Sequence, residues 1–302
     1  MDISYDAYRI FYYTAKYRSF TKAAAALGSS QPNVTRAIKN LEQALGCTLF
    51  LRDNRRVELT PEGETLYRYA SVAFEQLRAG EEAVVWGGGL EGGVLRIAAT
   101  EVALRAFLLP VLARFRREHP GVHVQLFNGA TSAAIAEVEN GLADLAFVTA
   151  PADLGLKLRK TKLVDVQDAA VCGRAYAALA GRALSLAELA AQPIISLGAE
   201  SCTYRFYARF FAAHGLAFAP DIEAATADQI LPLVRAELGI GFVPTPFLTE
   251  AGENVLRLQL AEPLPPRQIC MVEAPHRPTG AAAKALKRLC LETARSHEKP
   301  SK

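Results

Sequence analysis

The stretch Phe20 to Leu45, FTKAAAALGSSQPNVTRAIKNLEQAL, constrains the fold most. Thr21 to Leu27 is alanine-rich and favours helix. Gly28 can adopt the left-handed conformation that ends a helix, and Ser29 and Ser30 make the turn. Ser30 or Gln31 caps a second helix with Pro32 in its first turn, where a missing N–H costs nothing. Val34, Ile38, Leu41 and Leu45 are spaced by four, three and four, so they share one buried face. The opposite face carries Gln31, Asn33, Thr35, Arg36, Lys39 and Asn40, with no carboxylate. Arg, Asn and Gln suit bidentate contacts to purine edges in a major groove, and Lys and short hydroxyls suit phosphates. A helix-turn-helix inserts its second helix there, N-terminal residues first. In isolation, a solvated face of an ordinary helix pair has the same composition, so the flanking sequence must decide.

Before this pair, Ser4 to Lys16 reads as a helix with Tyr8, Phe11, Tyr12 and Ala15 as its apolar stripe. After it, Gly46 ends the helix and CTLFLRDNRRVELT supplies two short strand-like runs about an RDNRR turn. This is a wing with a cationic tip, and Arg52, Arg55 and Arg56 suit a phosphate backbone or the minor groove. Residues 1–60 hold nine basic and five acidic side chains, a local excess of +4 in a chain whose net charge is only +3. A basic excess at one end is what a phosphate-contacting module needs. Thr60-Pro61-Glu62-Gly63-Glu64 then opens a long helix running to about Trp86. Its Leu66, Ala70, Ala73, Leu77, Gly80 and Val84 alternate by four and three, the seam of a helix pair, so it reads as a dimerisation helix. The glycine-rich run at 87–93 matches G-x-G-x-x-G, but it follows a helix and precedes a strand. A hinge fits, and a nucleotide site does not.

Residues 1–90 resemble the N-terminal part of the LysR-type transcriptional regulators. The matching segments are SFTKAAAALG, SQPNVTRAIKNLEQALGCTLFLR and LTPEGE; Ser29 and Asn33-Val34 depart from the usual pattern. In residues 94–302, strand and helix patterns alternate, which predicts βαβ units and largely parallel sheets around a cleft. The clearest matches to the family there are LRIAAT, LLPVLARFRREHPGVHV and GLADLAF. The expected organisation is therefore multidomain. An all-α winged helix-turn-helix DNA-binding domain (1–60) is followed by a linker helix and hinge (61–90). An α/β periplasmic-binding-protein-like effector domain of two lobes completes the chain (91–302). The resemblance implies a first lobe of 91–162 and 267–302 and a second of 163–266. The stretch between the two strand sets, from about 151 to 192, reads as less regular.

Ligands of open α/β sheets bind beyond the carboxyl ends of the strands. The positions there are Thr100, Asn128 to Ser132, Thr149, Ser196, Ser201 to Thr203, Thr226 and Pro244-Thr245, and the expected effector-contacting set is Thr100, Asn128, Thr131, Thr149, Ser196, Ser201, Thr203 and Thr226. Hydroxyls dominate, and Thr131 and Thr203 lie near helix N-termini, where anions are favoured. The family likeness adds weight at Thr100, Thr131, Ser196 and Thr203. Helix capping is the competing role for each. Cys202 is read as a small buried hydrophobe, with a thiol-sensing role as the lesser alternative.

The expected DNA-contacting set is Thr21, Ser30, Gln31, Pro32, Asn33, Thr35, Arg36, Lys39, Arg52, Arg55 and Arg56. Partners expected from the resemblance are double-stranded DNA, a small and anionic effector, a second copy assembling onward to a homotetramer, and RNA polymerase. No cofactor or metal is expected. Five scattered cysteines with no CxxC pair argue against a zinc or disulfide framework and fit a reducing cytoplasm. No apolar run is long enough to span a bilayer, and no catalytic motif appears. The alternative is a small-molecule binding protein whose N-terminal helices only mediate association.

Overall fold

In the computed structural model, residues 3–53, 56–85, 92–150, 152, 157–277 and 279–298 are described. The chain forms two compact units, Met1–Val85 and Trp86–Lys302.

The first unit begins with α1 (Tyr5–Tyr17), α2 (Phe20–Ala26) and α3 (Gln31–Leu45). Three serines start these helices: Ser4, Ser19 and Ser30 each accept a backbone N–H in the first turn. Gly28 and Gly46 take positive φ, as a turn and a left-handed cap require. Phe11, Tyr12, Ile38, Leu41, Leu49 and Phe50 close one core. Ala23, Ala24 and Val34 close a smaller one between α2 and α3. The wing follows as β1 (Phe50–Asp53) and β2 (Arg56–Leu59), antiparallel with Phe50 opposite Leu59. Then α4 (Pro61–Val85) runs for 25 residues. The Thr60 hydroxyl accepts the Gly63 N–H and donates to the Thr48 carbonyl, so one side chain caps α4 and ties it to the wing. The expected seam of α4 divides. Leu66 and Ala70 pack into the unit's own core, whereas Ala73, Leu77, Gly80 and Val84 are exposed.

The second unit holds two mixed sheets. The first has the order β4-β3-β5-β13-β6, from β3 (Val94–Ala99), β4 (His123–Asn128), β5 (Leu145–Ala150), β6 (Arg159–Val166) and β13 (Arg267–Glu273). Its helices are α5 (Glu101–Ala103), α6 (Leu109–Glu118), α7 (Thr131–Glu139) and α11 (Ala281–Glu298). A π-helical turn, Leu104–Leu108, joins α5 to α6. The second sheet has the order β10-β9-β11-β7-β12-β8. Its strands are β7 (Asp168–Gly173), β8 (Ala183–Leu184), β9 (Ile194–Leu197), β10 (Ile222–Ala224), β11 (Ile240–Pro244) and β12 (Val255–Leu260). Its helices are α8 (Leu186–Ala190), α9 (Cys202–Ala213) and α10 (Ile230–Arg235).

Two expectations change here. The sheets are parallel only in part: β3 runs with β4 and β5, and β9 with β10 and β11. β13 is antiparallel to β5 and β6, and β7 to β11 and β12. The reason is topological, because β7 and β13 are the strands that arrive from the other lobe. The stretch at 151–192 is also not irregular, since it holds β6, β7, β8 and α8. The first crossing falls at Gln167 rather than at 163, because β6 pairs with β13 as far as Val166.

Candidate functional site

Two surfaces answer to the sequence reading. On the first unit, α3 buries Val34, Ile38 and Leu41. It leaves Gln31, Pro32, Asn33, Arg36, Lys39 and Asn40 exposed, with Thr35 half-buried. Thr21 and Ser30 are exposed beside them. The Ser30 hydroxyl is occupied in part, accepting the Asn33 N–H at 3.4 Å. No ion pair within the described residues engages Arg36 or Lys39, so both cations remain available to an outside anion. Arg52 and Arg56 lie in the wing strands, where Arg52 is opposite Val57 and Asp53 opposite Arg56. Their side chains, and Arg55 altogether, lie outside the described residues, as does most of the glycine-rich hinge.

One position that shapes this surface escaped the sequence reading. The carboxylate of Glu42 accepts the N–H groups of Leu49 at 2.8 Å and Phe50 at 3.3 Å, which fixes the start of the wing to the last turn of α3. A lone carboxylate on an otherwise cationic and amide-rich helix was the available signal.

The second surface is a cavity of about 380 Å³ at the carboxyl ends of β3, β4, β5 and β9. Seven of the eight expected residues line it: Thr100, Asn128, Thr131, Thr149, Ser201, Thr203 and Thr226. Ser196 stands apart, lining a hollow of about 10 Å³ beside it with Thr203, Tyr207 and Arg267. Ser196 is 2% exposed and its hydroxyl has no partner among the described residues. Capping claims part of the set: Thr100 accepts the Ala103 N–H, Ser201 accepts the Tyr204 N–H, and Thr226 forms a capping box with Gln229. Cys202 is half-buried on the cavity wall, where Arg205 donates to its sulfur at 3.2 Å. Burial as a core hydrophobe therefore does not describe it. Glu101, Glu200, Arg205 and Asp228 also line the cavity. Each lies within two residues of a position singled out from the sequence.

Beneath the cavity lies a buried network. Asp168 opens β7 just after the first crossing, and Arg267 opens β13 just after the second. Their side chains pair through Nε–Oδ2 at 2.8 Å and an Nη2 to Oδ1 hydrogen bond at 2.9 Å. Tyr207 donates its hydroxyl to the same carboxylate. Burial, reinforced by the Asp168 charge, holds that phenol well above its ordinary pKa, so it stays a neutral donor. Arg267 Nη1 donates to the Thr203 hydroxyl at 3.1 Å, linking both crossings to the cavity wall.

Comparison with known proteins bears on both surfaces. Residues 5–64 match the model of the bacterial regulatory helix-turn-helix protein, lysR family, and residues 88–295 match that of the LysR substrate binding domain. The chain belongs to the LysR family of regulators. A probable RuBisCO transcriptional regulator of Guillardia theta is 32% identical over 248 residues, 79% of this chain and 78% of that one. The HTH-type transcriptional regulator IlvY of Escherichia coli (strain K12) is 36% identical over 146 residues, 48% of this chain and 49% of its own length. The chain thus matches about half the length of IlvY. Among solved structures, CbnR, a LysR family transcriptional regulator, superposes with a TM-score of 0.74. That comparison covers 97% of this chain and 99% of CbnR at 18% identity, a likeness of fold. Full-length CbnR in complex with its target DNA gives 0.73. Membership in a LysR family of two-domain regulators decides against the reading as a binding protein with a mere association module. No helix among the described residues is long and apolar enough to cross a membrane, and no group of His, Cys, Asp and Glu among them is placed to hold a metal ion.

Proposed function

We propose that this LysR-family chain binds a roughly two-fold operator in double-stranded DNA as a dimer, from within the cytoplasm. The observation that carries the reading is the outward face of α3, where Arg36 and Lys39 stand uncompensated beside Gln31 and Asn33. In the bound state α3 lies in the major groove with Gln31, Asn33 and Arg36 at base edges, while Thr21, Ser30, Thr35 and Lys39 meet phosphates. The wing arginines contact the backbone or minor groove. The exposed half of α4 pairs with the same helix of a second copy, and two dimers make the tetramer. A small-molecule effector occupies the cavity of the second unit. By binding one arrangement of the lobes better than another it shifts the spacing or angle of the DNA-binding heads, and with it contact to RNA polymerase.

The test is a binding titration of the purified protein on the DNA upstream of its own coding region, beside an unrelated fragment of equal length at several salt concentrations. The expected result is tight binding to one fragment, with log affinity falling linearly against log salt. Binding of equal strength to both fragments, followed by failure to enrich a common site from genomic DNA, would sink the proposal.

A further inference from the structure

The cavity has two chemically different sides. On one, Thr131 and Thr149 are only 7% and 5% exposed, yet neither hydroxyl has a hydrogen-bond partner among the described residues. Both line the open space, so these hydroxyls on largely buried residues are presented to it. The adjacent helix α7 starts at Thr131, and its cap residue, Ala130, has no side chain to accept the first N–H groups. The hydroxyls, each able to donate, and the first amides of α7 offer unsatisfied donors to a carboxylate.

On the other side, that of β9 and α9, the cavity is lined by two exposed carboxylates, Glu200 and Asp228, against one cation, Arg205. The one carboxylate on the threonine side, Glu101, is already engaged by Asn128 and lies 3.9 Å from Arg105. Glu200 and Asp228 have no ion-pair partner among the described residues. Arg205 is directed to the Cys202 sulfur and the Glu200 carbonyl. A ligand that is only an anion brings its charge among these carboxylates uncompensated. A ligand that also carries a cation satisfies both sides. The volume of about 380 Å³ lies near the small end of ligand pockets, roughly 300–1,000 Å³.

We propose that the cavity takes an amino acid, its carboxylate held at the first turn of α7 by Thr131 and Thr149 and its ammonium facing Glu200 and Asp228. This rests on the reading of the cavity as the effector site, and it makes the effector a zwitterion rather than a simple anion.

The test uses the full-length protein and follows thermal unfolding with the twenty standard L-amino acids, β-alanine and 4-aminobutyrate. Each is run beside its deaminated carboxylic acid and its decarboxylated amine, and hits are titrated by calorimetry. At least one amino acid should raise Tm and bind about tenfold or more tightly than either counterpart, the scale of one lost charged contact. Thr149→Val and Thr131→Val should each weaken it about tenfold. Glu200→Gln combined with Asp228→Asn should weaken the amino acid while leaving its deaminated acid unchanged or improved. Circular dichroism of the unliganded variants verifies their folding. If no amino acid binds, the amino-acid class is wrong; if a deaminated acid binds as tightly and remains sensitive to Thr149→Val, the class is wrong and the cavity reading stands. If binding survives both threonine variants, the ligand sits elsewhere and the cavity reading fails as well.

Discussion

Gly63 occupies a helical position, where glycine is ordinarily a liability of about 1 kcal/mol against alanine. A Cβ at this position would lie 2.1 Å from the Leu49 carbonyl oxygen. The residue therefore lets α4 press against the start of the wing, at the carbonyl that accepts the Thr60 N–H. Replacing Gly63 by Ala should destabilise the first unit by about 1–3 kcal/mol, the usual cost of overpacking, despite the gain in helix propensity. A urea unfolding curve with an unchanged or higher midpoint would refute this. Arg36 makes the opposite case, a residue the fold does not need. Arg36→Ala should leave the midpoint unchanged and weaken operator binding by about 1–3 kcal/mol, with relaxed preference at one base pair. Unaltered affinity and preference would remove it from the contacting set.

At the scale of elements, α4 serves two masters. Its first half buries Ala70 and packs Leu66, Tyr67 and Phe74 on α1, with Tyr12 and Phe74 rings stacked at 5.0 Å. Its second half leaves Leu77 49% and Val84 81% exposed. Apolar residues on a long helix at heptad spacing are soluble when paired with another helix. Changing Leu77 and Val84 together to Lys should raise the dimer dissociation constant by about tenfold or more per residue, from burial energies of roughly 1.5–3 kcal/mol each. Sedimentation equilibrium reads this directly, and an unchanged dimer would place the contact elsewhere. The strands at 159–173 show the converse limit of pattern reading. β6, RKTKLVDV, is an edge strand rich in exposed charge, and β7, DAAVCG, is a central strand built of small residues that are all buried. Neither shows the β-branched alternation by which strands are recognised.

For the molecule as a whole, ionic ties between distant segments matter. Glu273, at the end of β13, accepts from Lys287 of α11 and pairs with Arg159 of β6 at 2.7 Å. Burial alone would raise its pKa, but hydrogen bonds and charge from Lys287 and Arg159 outweigh this and hold it below the ordinary carboxylate value. A depressed folded-state pKa contributes stability that is present above the unfolded value and lost as pH falls through the folded one. The Tm of the second unit should therefore drop as pH falls below the ordinary carboxylate range. Glu273→Gln should show a lower Tm at neutral pH and a shallower drop. A parallel offset of the two pH profiles would show that the carboxylate does not titrate as argued.

The first unit was legible in the chain because its determinants are local. Serine caps, left-handed glycines, a proline in the first turn of α3 and apolar residues spaced by four and three each act within a few residues. The hydroxyls at the strand ends were legible too, since alternating strands and helices place such positions at one edge of a sheet by topology alone. Tertiary structure decided the rest. That Arg267 and Asp168 meet across 99 residues, that β7 and β13 run against their neighbours, that Gly63 touches the wing, and that Glu200 and Asp228 line one cavity with Thr131 and Thr149 are facts of long-range packing. Spacing along the chain carries no record of such contacts, because the residues are brought together only when distant segments pack.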